Sequence, residues 1–320
     1  MDSMKVLRLF AVLLALVAGS VRGEDSNVIR PVADLEQRLS SMPFEILKAE
    51  KARGIKEDVA LKSEVKFQDG VELRIKIRPA NYGGSEFNNE PRYEAAAYEL
   101  QKAFLDEGDA VVPPTELRAL KREQIGPVAP AVPATFRGSN DVLAVLQYWL
   151  KTVSGPNDVW DAARFERDKA YAKHVANLNV LTYLIAHGDS NAGNILLSTD
   201  PQNPRVFAVD NGVAFRSLKS DRGQAWRSMR VPSIPKQTVE RLRALDRDRL
   251  NQVLGAVGTW RIEDAHLVRV EGEPVYSGAK GVRTRDGKVQ LGLTPREILD
   301  VETRRKELLE MVDKGKLGSF

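Results

Sequence analysis

The spacing of apolar residues changes character along the chain, and each change predicts an element. From Val32 to Lys51, Leu35, Leu39, Phe44, Ile46 and Leu47 recur among polar residues, which predicts a helix interrupted at Pro43. Two strand-like runs follow, Val59 to Phe67 and Val71 to Ile77, with Asp69-Gly70 as a hairpin turn between them. In the second run Leu73, Ile75 and Ile77 point one way, and Arg74, Lys76 and Arg78 the other. A loop carrying Gly83-Gly84 leads into a helix with Pro91 at its start, on which Tyr93, Ala97, Leu100 and Phe104 form one apolar stripe. Val111 to Leu117 reads as a short strand entry broken by Pro113-Pro114, Gly126 to Asn140 as a loop, and Val142 to Leu150 as a buried strand.

The second half differs in kind. A long helical pattern from Phe165 to Ala186 runs into the polar, turn-forming string His187-Gly188-Asp189-Ser190-Asn191-Ala192-Gly193-Asn194. A short strand, Ile195 to Leu197, a turn at Asp200 to Pro204 and a second strand, Val206 to Val209, follow, and Asp210-Asn211-Gly212 ends the hairpin. Thr238 to Leu254 reads as one helix with Gly255 as its stop, and residues 256 to 293 as short strands and turns. Thr294, Pro295 and Glu297 open a last helix with a capping box.

Composition narrows the chemistry. The 320 residues are 42% hydrophobic and 29% charged and contain no cysteine, which describes a globular chain without disulfides, thiolate nucleophile, cysteine zinc site or iron–sulfur cluster. Three histidines, His174, His187 and His266, leave little for an all-histidine metal site; His174 and His266 have no partner that the sequence identifies, and His187 reads as a loop anchor rather than a base. A net charge of +4 is nearly balanced and gives no case for a nucleic-acid partner. The basic run from Arg222 to Arg230, with Trp226, reads as a solvated surface, with an anionic-substrate site as the alternative.

The N-terminus has the layout of a secretory signal peptide over residues 1–23: Lys5 and Arg8, a wholly apolar run from Leu9 to Val17, then small residues. The run is too short to span a bilayer comfortably, and no other stretch is long and apolar enough, so no membrane span is expected after cleavage. Export without cysteine and without an Asn-x-Ser/Thr acceptor favours a bacterial periplasmic or extracellular protein over one in the lumen of a eukaryotic secretory pathway.

The ends of a hairpin lie close together, so Asn194 at its start and Asp210 at its end can meet. An amide oxygen and a carboxylate there make a hard-oxygen site suited to Mg²⁺ or Mn²⁺. Asp189, on the same loop, can accept a proton from an attacking hydroxyl or orient it. A base, two metal ligands and a strand hairpin are components of a kinase-type phosphoryl-transfer site.

The string HGDSNAGNIL followed by VDNG resembles the catalytic and metal-binding loops of the protein-kinase-like superfamily. It is closest to the atypical branches: aminoglycoside phosphotransferases, phosphatidylinositol 3-/4-kinases and the secretory-pathway kinases of the Golgi casein kinase and four-jointed type. The resemblance implies Asp189 as catalytic base, and Asn194 and Asp210 as metal ligands. Asn191 falls where some of these families place another polar active-site residue. A kinase also holds phosphates with a strand lysine and steadies it with a helix glutamate. Lys76 lies on the hairpin strand and Glu94 on the next helix, in the string EAAAYEL, which with VVPP at Val111 to Pro114 resembles the corresponding segment of the secretory-pathway kinases. Arg78 and Glu90 are the alternative members of that pair. The segment Val142 to Leu150 falls at the interlobe hinge. One departure is the missing Gly-x-Gly-x-x-Gly loop, which argues against a typical protein kinase.

The expectation is an α+β, two-lobed protein-kinase-like fold. A signal peptide at 1–23 and a helical extension at 24–55 precede a small antiparallel-sheet N-lobe with one helix and the hinge at 56–150, and a mainly helical C-lobe with the catalytic hairpin at 151–320. The expected activity is metal-dependent transfer of the ATP γ-phosphoryl group to an acceptor hydroxyl on a protein, glycan, lipid or small molecule. The alternatives are a nucleotide-binding pseudokinase and an AMP-transferring enzyme of the same fold.

Overall fold

The computed structural model describes residues 25–51, 59–86, 90–215 and 223–320; the signal peptide expected at 1–23 lies outside them. Helix α1 (Val32–Ser40) ends before Pro43, and Phe44–Lys51 is strand β1. The helix expected through Lys51 is therefore corrected, and with it the helical character of the 24–55 extension. Pro43 has no N–H for a helical bond, and the residues beyond it pair antiparallel with β2 (Leu61–Phe67), from Phe44 opposite Phe67 to Lys51 opposite Leu61. The mixed apolar spacing in the sequence was two periods read as one.

β2 and β3 (Glu72–Pro79) close around Gly70, whose φ of 86° suits a residue without a side chain. Helix α2 (Pro91–Lys102) starts on a proline. β4 (Thr115–Leu120), the single turn α3 (Arg122–Ile125) and β5 (Val142–Tyr148) complete a five-stranded sheet in the order β1-β2-β3-β5-β4, every pair antiparallel. Every residue of β5 is buried, which is why it reads as an unbroken apolar run. Val142, Ala144, Leu146 and Tyr148 pack with α1 and the β2–β3 hairpin, while Leu143 and Val145 face the opposite side of the sheet.

The second lobe opens with β6 (Val153–Ser154), α4 (Ala162–Arg167) and α5 (Lys169–Leu184). The single helix expected from Phe165 divides at Asp168, whose carboxylate accepts from Tyr171 N–H at 3.0 Å and caps α5. β7 (Ile195–Ser198) and β8 (Val206–Ala208) form the expected hairpin, with β6 along its outer edge. β9 (Ser233–Ile234) precedes α6 (Lys236–Ala244) and α7 (Arg247–Leu254). These two helices replace the one expected from Thr238, because Asp246 caps α7 through Arg249 N–H at 2.8 Å.

β10 (Gly258–Glu263), β11 (His266–Arg269), β12 (Val282–Arg285) and β13 (Lys288–Leu291) make an antiparallel sheet in the order β11-β10-β13-β12. This sheet covers the first lobe: Trp260, Leu267, Val289 and Leu291 pack on Leu117, Leu143 and Val145. Helix α8 (Pro295–Asp313) carries the expected capping box between Thr294 and Glu297, and β14 (Gly318–Ser319) pairs parallel with β9. Tyr93, Ala97 and Leu100 of α2, with Phe104 just past its end, pack with Tyr171, Leu178 and Leu181 of α5, so α2 serves both lobes. The α+β, two-lobed kinase-like architecture is the expected one, with the extra sheet as an addition to it. Among the described residues no helix is long and apolar enough to cross a membrane.

Candidate active site

Residues two apart on a strand share a face, so β3 presents Lys76 and Arg78 together. That face is polar in sequence yet buried, leaving Lys76 only 7% and Arg78 only 6% exposed. Burial of two adjacent cations requires anions, and two elements supply them. Glu94, in the first turn of α2, accepts from Lys76 Nζ at 3.3 Å and lies 3.5 Å from Arg78 Nη1. Its other oxygen accepts the backbone N–H of Asn211 at 3.0 Å. Asp210, just past β8, contacts Lys76 Nζ directly and lies 3.8 Å from Arg78 Nη1.

Protonation follows from this arrangement. Burial alone would push the Lys76 pKa down, but Asp210 and then Glu94 outweigh it and hold the ammonium above its ordinary value. Enclosure pushes the Asp210 carboxyl up, and the charges of Lys76 and Arg78 overcome that and hold it below the usual carboxylate range. Asp210 has φ 57° and ψ 49°, a left-handed conformation that aspartate tolerates better than most residues. Ala186 and Phe215, on the segments flanking the loop at residues 187–194 and Asp210, are also left-handed, with φ 47° and 58°. Backbone held in such conformations concentrates at functional sites.

The loop before β7 forms a second cluster. Asn194 Nδ2 donates to the Asp189 carbonyl at 3.0 Å, Asn194 N–H donates to the Asn191 carbonyl at 3.1 Å, and Asn191 Nδ2 contacts the Asp189 carboxylate. Asn194 O accepts Val209 N–H at 2.8 Å, and the residue after Val209 is Asp210, so the hairpin ties the two clusters together. His187 anchors the loop from below. It is 1% exposed, its Nδ1 accepts from Asp189 N–H at 3.4 Å and lies 3.3 Å from Ser190 Oγ, and burial brings its pKa down to about 4. Gly188 is required next to it, since a β-carbon there would stand 2.6 Å from Val213 O and 2.9 Å from Arg227 Nη2.

Arg78 is thus a member of the cluster alongside Lys76, where the sequence offered the two as alternatives. Glu90 is drawn away from it, accepting from Ser85 Oγ at 2.7 Å and from Arg92 Nε at 3.2 Å. The Asn211 amide left no signal, because a backbone group has no residue type. The described part of the Arg222 to Arg230 run corrects the freely solvated reading in part, because its basic side chains are tied down around a buried ring. Trp226 is 2% exposed, Arg230 stacks over its ring at 4.7 Å and pairs with Asp158 at 2.6 Å, and Arg227 Nε donates to the His187 carbonyl at 3.0 Å. His266 likewise has a partner, Asp141 Oδ1 at 3.0 Å.

Among the described residues no group of three or more His, Cys, Asp and Glu converges as an all-protein metal site. Asn194 Oδ1 and Asp210 Oδ2 accept no hydrogen bond among the described residues, so one amide and one carboxylate oxygen remain for a cation. That donor set fits Mg²⁺ or Mn²⁺, which take few protein ligands and complete their shells with phosphate oxygens and water.

Two lobes joined by a short connection, a buried lysine–glutamate pair and a hairpin bearing Asn194 and Asp210 define an atypical protein-kinase-like phosphotransferase class. Residues 96–258 match the family model described as phosphatidylinositol 3- and 4-kinase, and the chain belongs to that family. The match includes Asp189, Asn191, Asn194 and Asp210; Lys76, Arg78 and Glu94 precede it. Among solved structures, hydra Fam20 with sugar is similar at a TM-score of 0.55 and 13% identity, over 91% of this chain and 92% of that one. A MAP kinase from Leishmania major is similar at a TM-score of 0.31 and 15% identity, over 57% and 49%. No curated protein matches the chain.

Proposed function

We propose that the protein is an exported, ATP-dependent kinase that moves the γ-phosphoryl group to an acceptor hydroxyl with Mg²⁺ or Mn²⁺. The observation that carries this reading is the convergence of Lys76, Glu94 and Asp210 from three elements and both lobes. Glu94 fixes the lysine by charge and by the Asn211 amide, so Lys76 is free to exchange Asp210 for phosphate oxygens when nucleotide enters. Asp189 takes the acceptor proton as the acceptor oxygen bonds to phosphorus and the bond to ADP breaks. Asn191 and Asn194 hold the loop that aims Asp189. Asn194 Oδ1 and Asp210 would hold the cation, which supplies charge neutralisation of the phosphates when bound. The leader pattern from Lys5 to Val17 supports export.

The test is phosphotransfer from γ-labelled ATP by the purified protein, with Mg²⁺ or Mn²⁺ and an extracytoplasmic extract as acceptor source. Asp189→Ala lowers transfer by about 100-fold or more while nucleotide binding persists. Full transfer by Asp189→Ala would sink the role assignment. Label passing from the α-phosphate would mark AMP transfer instead, and metal-dependent ATP binding without any turnover would mark a binding module.

A further inference from the structure

A cavity of about 1180 Å³ lies between the Gly83–Ser85 loop, the first turn of α2, the Ala186 end of the catalytic loop and the start of α8. None of Lys76, Glu94, Asp189 and Asp210 lines it. Five cations do. Arg92 is neutralised by Glu297 at 2.6 Å and Glu90 at 3.2 Å, and Arg296 by Asp300 at 3.2 Å. Arg227, Arg304 and Lys280 have no carboxylate at ion-pair distance among the described residues.

Arg227 and Arg304 are held in place without being neutralised. Arg227 Nε donates to the His187 carbonyl at 3.0 Å, and Arg304 Nε to the Leu184 carbonyl at 2.7 Å. Arg227 Nη1 and Arg304 Nη2 are buried and meet no hydrogen-bond acceptor among the described residues. Both residues are half-buried, and a guanidinium does not lose its proton in a protein, so neither can relieve the burial of that nitrogen by becoming neutral. Burial pushes the pKa of each below its ordinary value; at Arg304 the more distant Asp300 and Glu307 offset part of this and Arg227 adds to it. Buried charged donors without acceptors are rare in folded chains and point to a missing partner. Two fixed guanidinium forks on separate segments suit an anion with several oxygens in different directions, which a tetrahedral phosphate has and a planar carboxylate has not.

We propose that this cavity binds a phosphate dianion, free or as a small phosphomonoester, gripped by Arg227 and Arg304 with Lys280 at its mouth. The site is separate from the phosphotransfer centre and does not depend on the reaction assigned there. Because Arg227 also holds the His187 carbonyl, an occupied cavity restrains the loop two residues before Asp189.

The test is binding to the full chain without nucleotide, followed by thermal melting and calorimetry, with sodium phosphate against sodium chloride at equal ionic strength. Phosphate raises the melting temperature saturably and slows amide exchange over residues 187–191. The double variant Arg227→Gln/Arg304→Gln weakens phosphate affinity by about 30-fold or more, through the loss of two charge-assisted contacts. Asp300→Asn, a partly exposed change on α8 that leaves the fold intact, tightens it severalfold. Lys76→Met leaves it unchanged. O-phosphoserine binding more tightly than inorganic phosphate identifies a phosphomonoester as the occupant, and equal or weaker binding identifies free phosphate. Unchanged phosphate affinity in the double variant, loss of it in Lys76→Met, or no tightening in Asp300→Asn overturns the proposal.

Discussion

Two pairs of basic residues, one buried and one half-buried, stand near the loop at residues 187–194, and they are provided for in opposite ways. Lys76 and Arg78 face two carboxylates, Glu94 and Asp210, and both carboxylates reach both cations. Arg227 and Arg304 donate to backbone carbonyls and have no carboxylate at ion-pair distance among the described residues, and Asp300 and Glu307 act on Arg304 only from farther away. In the first pair charge is balanced within the protein, and a ligand must displace an existing partner. In the second the balance is incomplete, and an anion adds to what is there. The difference teaches that buried positive charge near a phosphotransfer site is not one kind of feature: a compensated cation exchanges partners, an uncompensated one acquires them.

Removing the compensation is the strongest way to break this contrast. Glu94 is 1% exposed and serves Lys76, Arg78 and the Asn211 amide at once. Glu94→Ala leaves two cations buried with Asp210 alone and should lower unfolding free energy by about 4 kcal/mol. Arg304→Gln removes a charge that has no carboxylate at ion-pair distance among the described residues and should change stability by less than about 1 kcal/mol, or raise it. Urea unfolding of both variants gives the comparison directly. Equal losses would mean that the two pairs are held alike.

Acidification tests the two buried histidines, His187 beneath the loop and His174 beside Arg205, Asp109 and Asp25. Burial brings the pKa values of His187 and His174 down to about 4. A histidine depressed in the fold binds fewer protons than in the unfolded chain between that value and its ordinary one near 6.5. Its contribution is therefore intact above about pH 6.5 and is lost as pH falls toward 4, by about 3 kcal/mol per histidine at the limit. Unfolding midpoints measured at pH 7.5, 5.5 and 4.5 should decline in that order. Replacing His174 with Phe should remove about half of the decline, and an unchanged slope would show that His174 does not titrate inside the fold.

These features were unequally legible in the sequence. The Asp69-Gly70 hairpin, the Thr294 capping box and the order Asp189, Asn194, Asp210 were readable because each rests on residue type at short spacing. The pairing of Lys76 with Glu94 needed the kinase resemblance, since nothing local distinguishes it from Arg78 with Glu90. What decides that question is position in space: Glu90 turns to Ser85 and Arg92, while Glu94 faces β3 one helical turn later. The strand at Phe44–Lys51 was hidden because its apolar residues followed a helix without a clear gap in pattern. Arg227 was hidden for the opposite reason, because a run of basic residues looks solvated until Trp226 is seen to be buried among them.

His187 lies within electrostatic reach of both pairs and reports the difference between them. Burial is the main cause of its low pKa, but Asp210 raises the value and Arg227 lowers it. Arg227→Gln should therefore shift the His187 titration upward by a fraction of a pH unit, and Asp210→Asn should shift it downward by a similar amount. Glutamine can still donate to the His187 carbonyl, so the first change tests charge more than the hydrogen bond at 3.0 Å. The measurement is an NMR titration of the His187 ring in the two variants and the parent. Shifts of opposite sign place the loop between a compensated and an uncompensated cluster. Shifts of the same sign would mean that His187 senses its burial alone, and the electrostatic distinction between the two sides of the loop would fail.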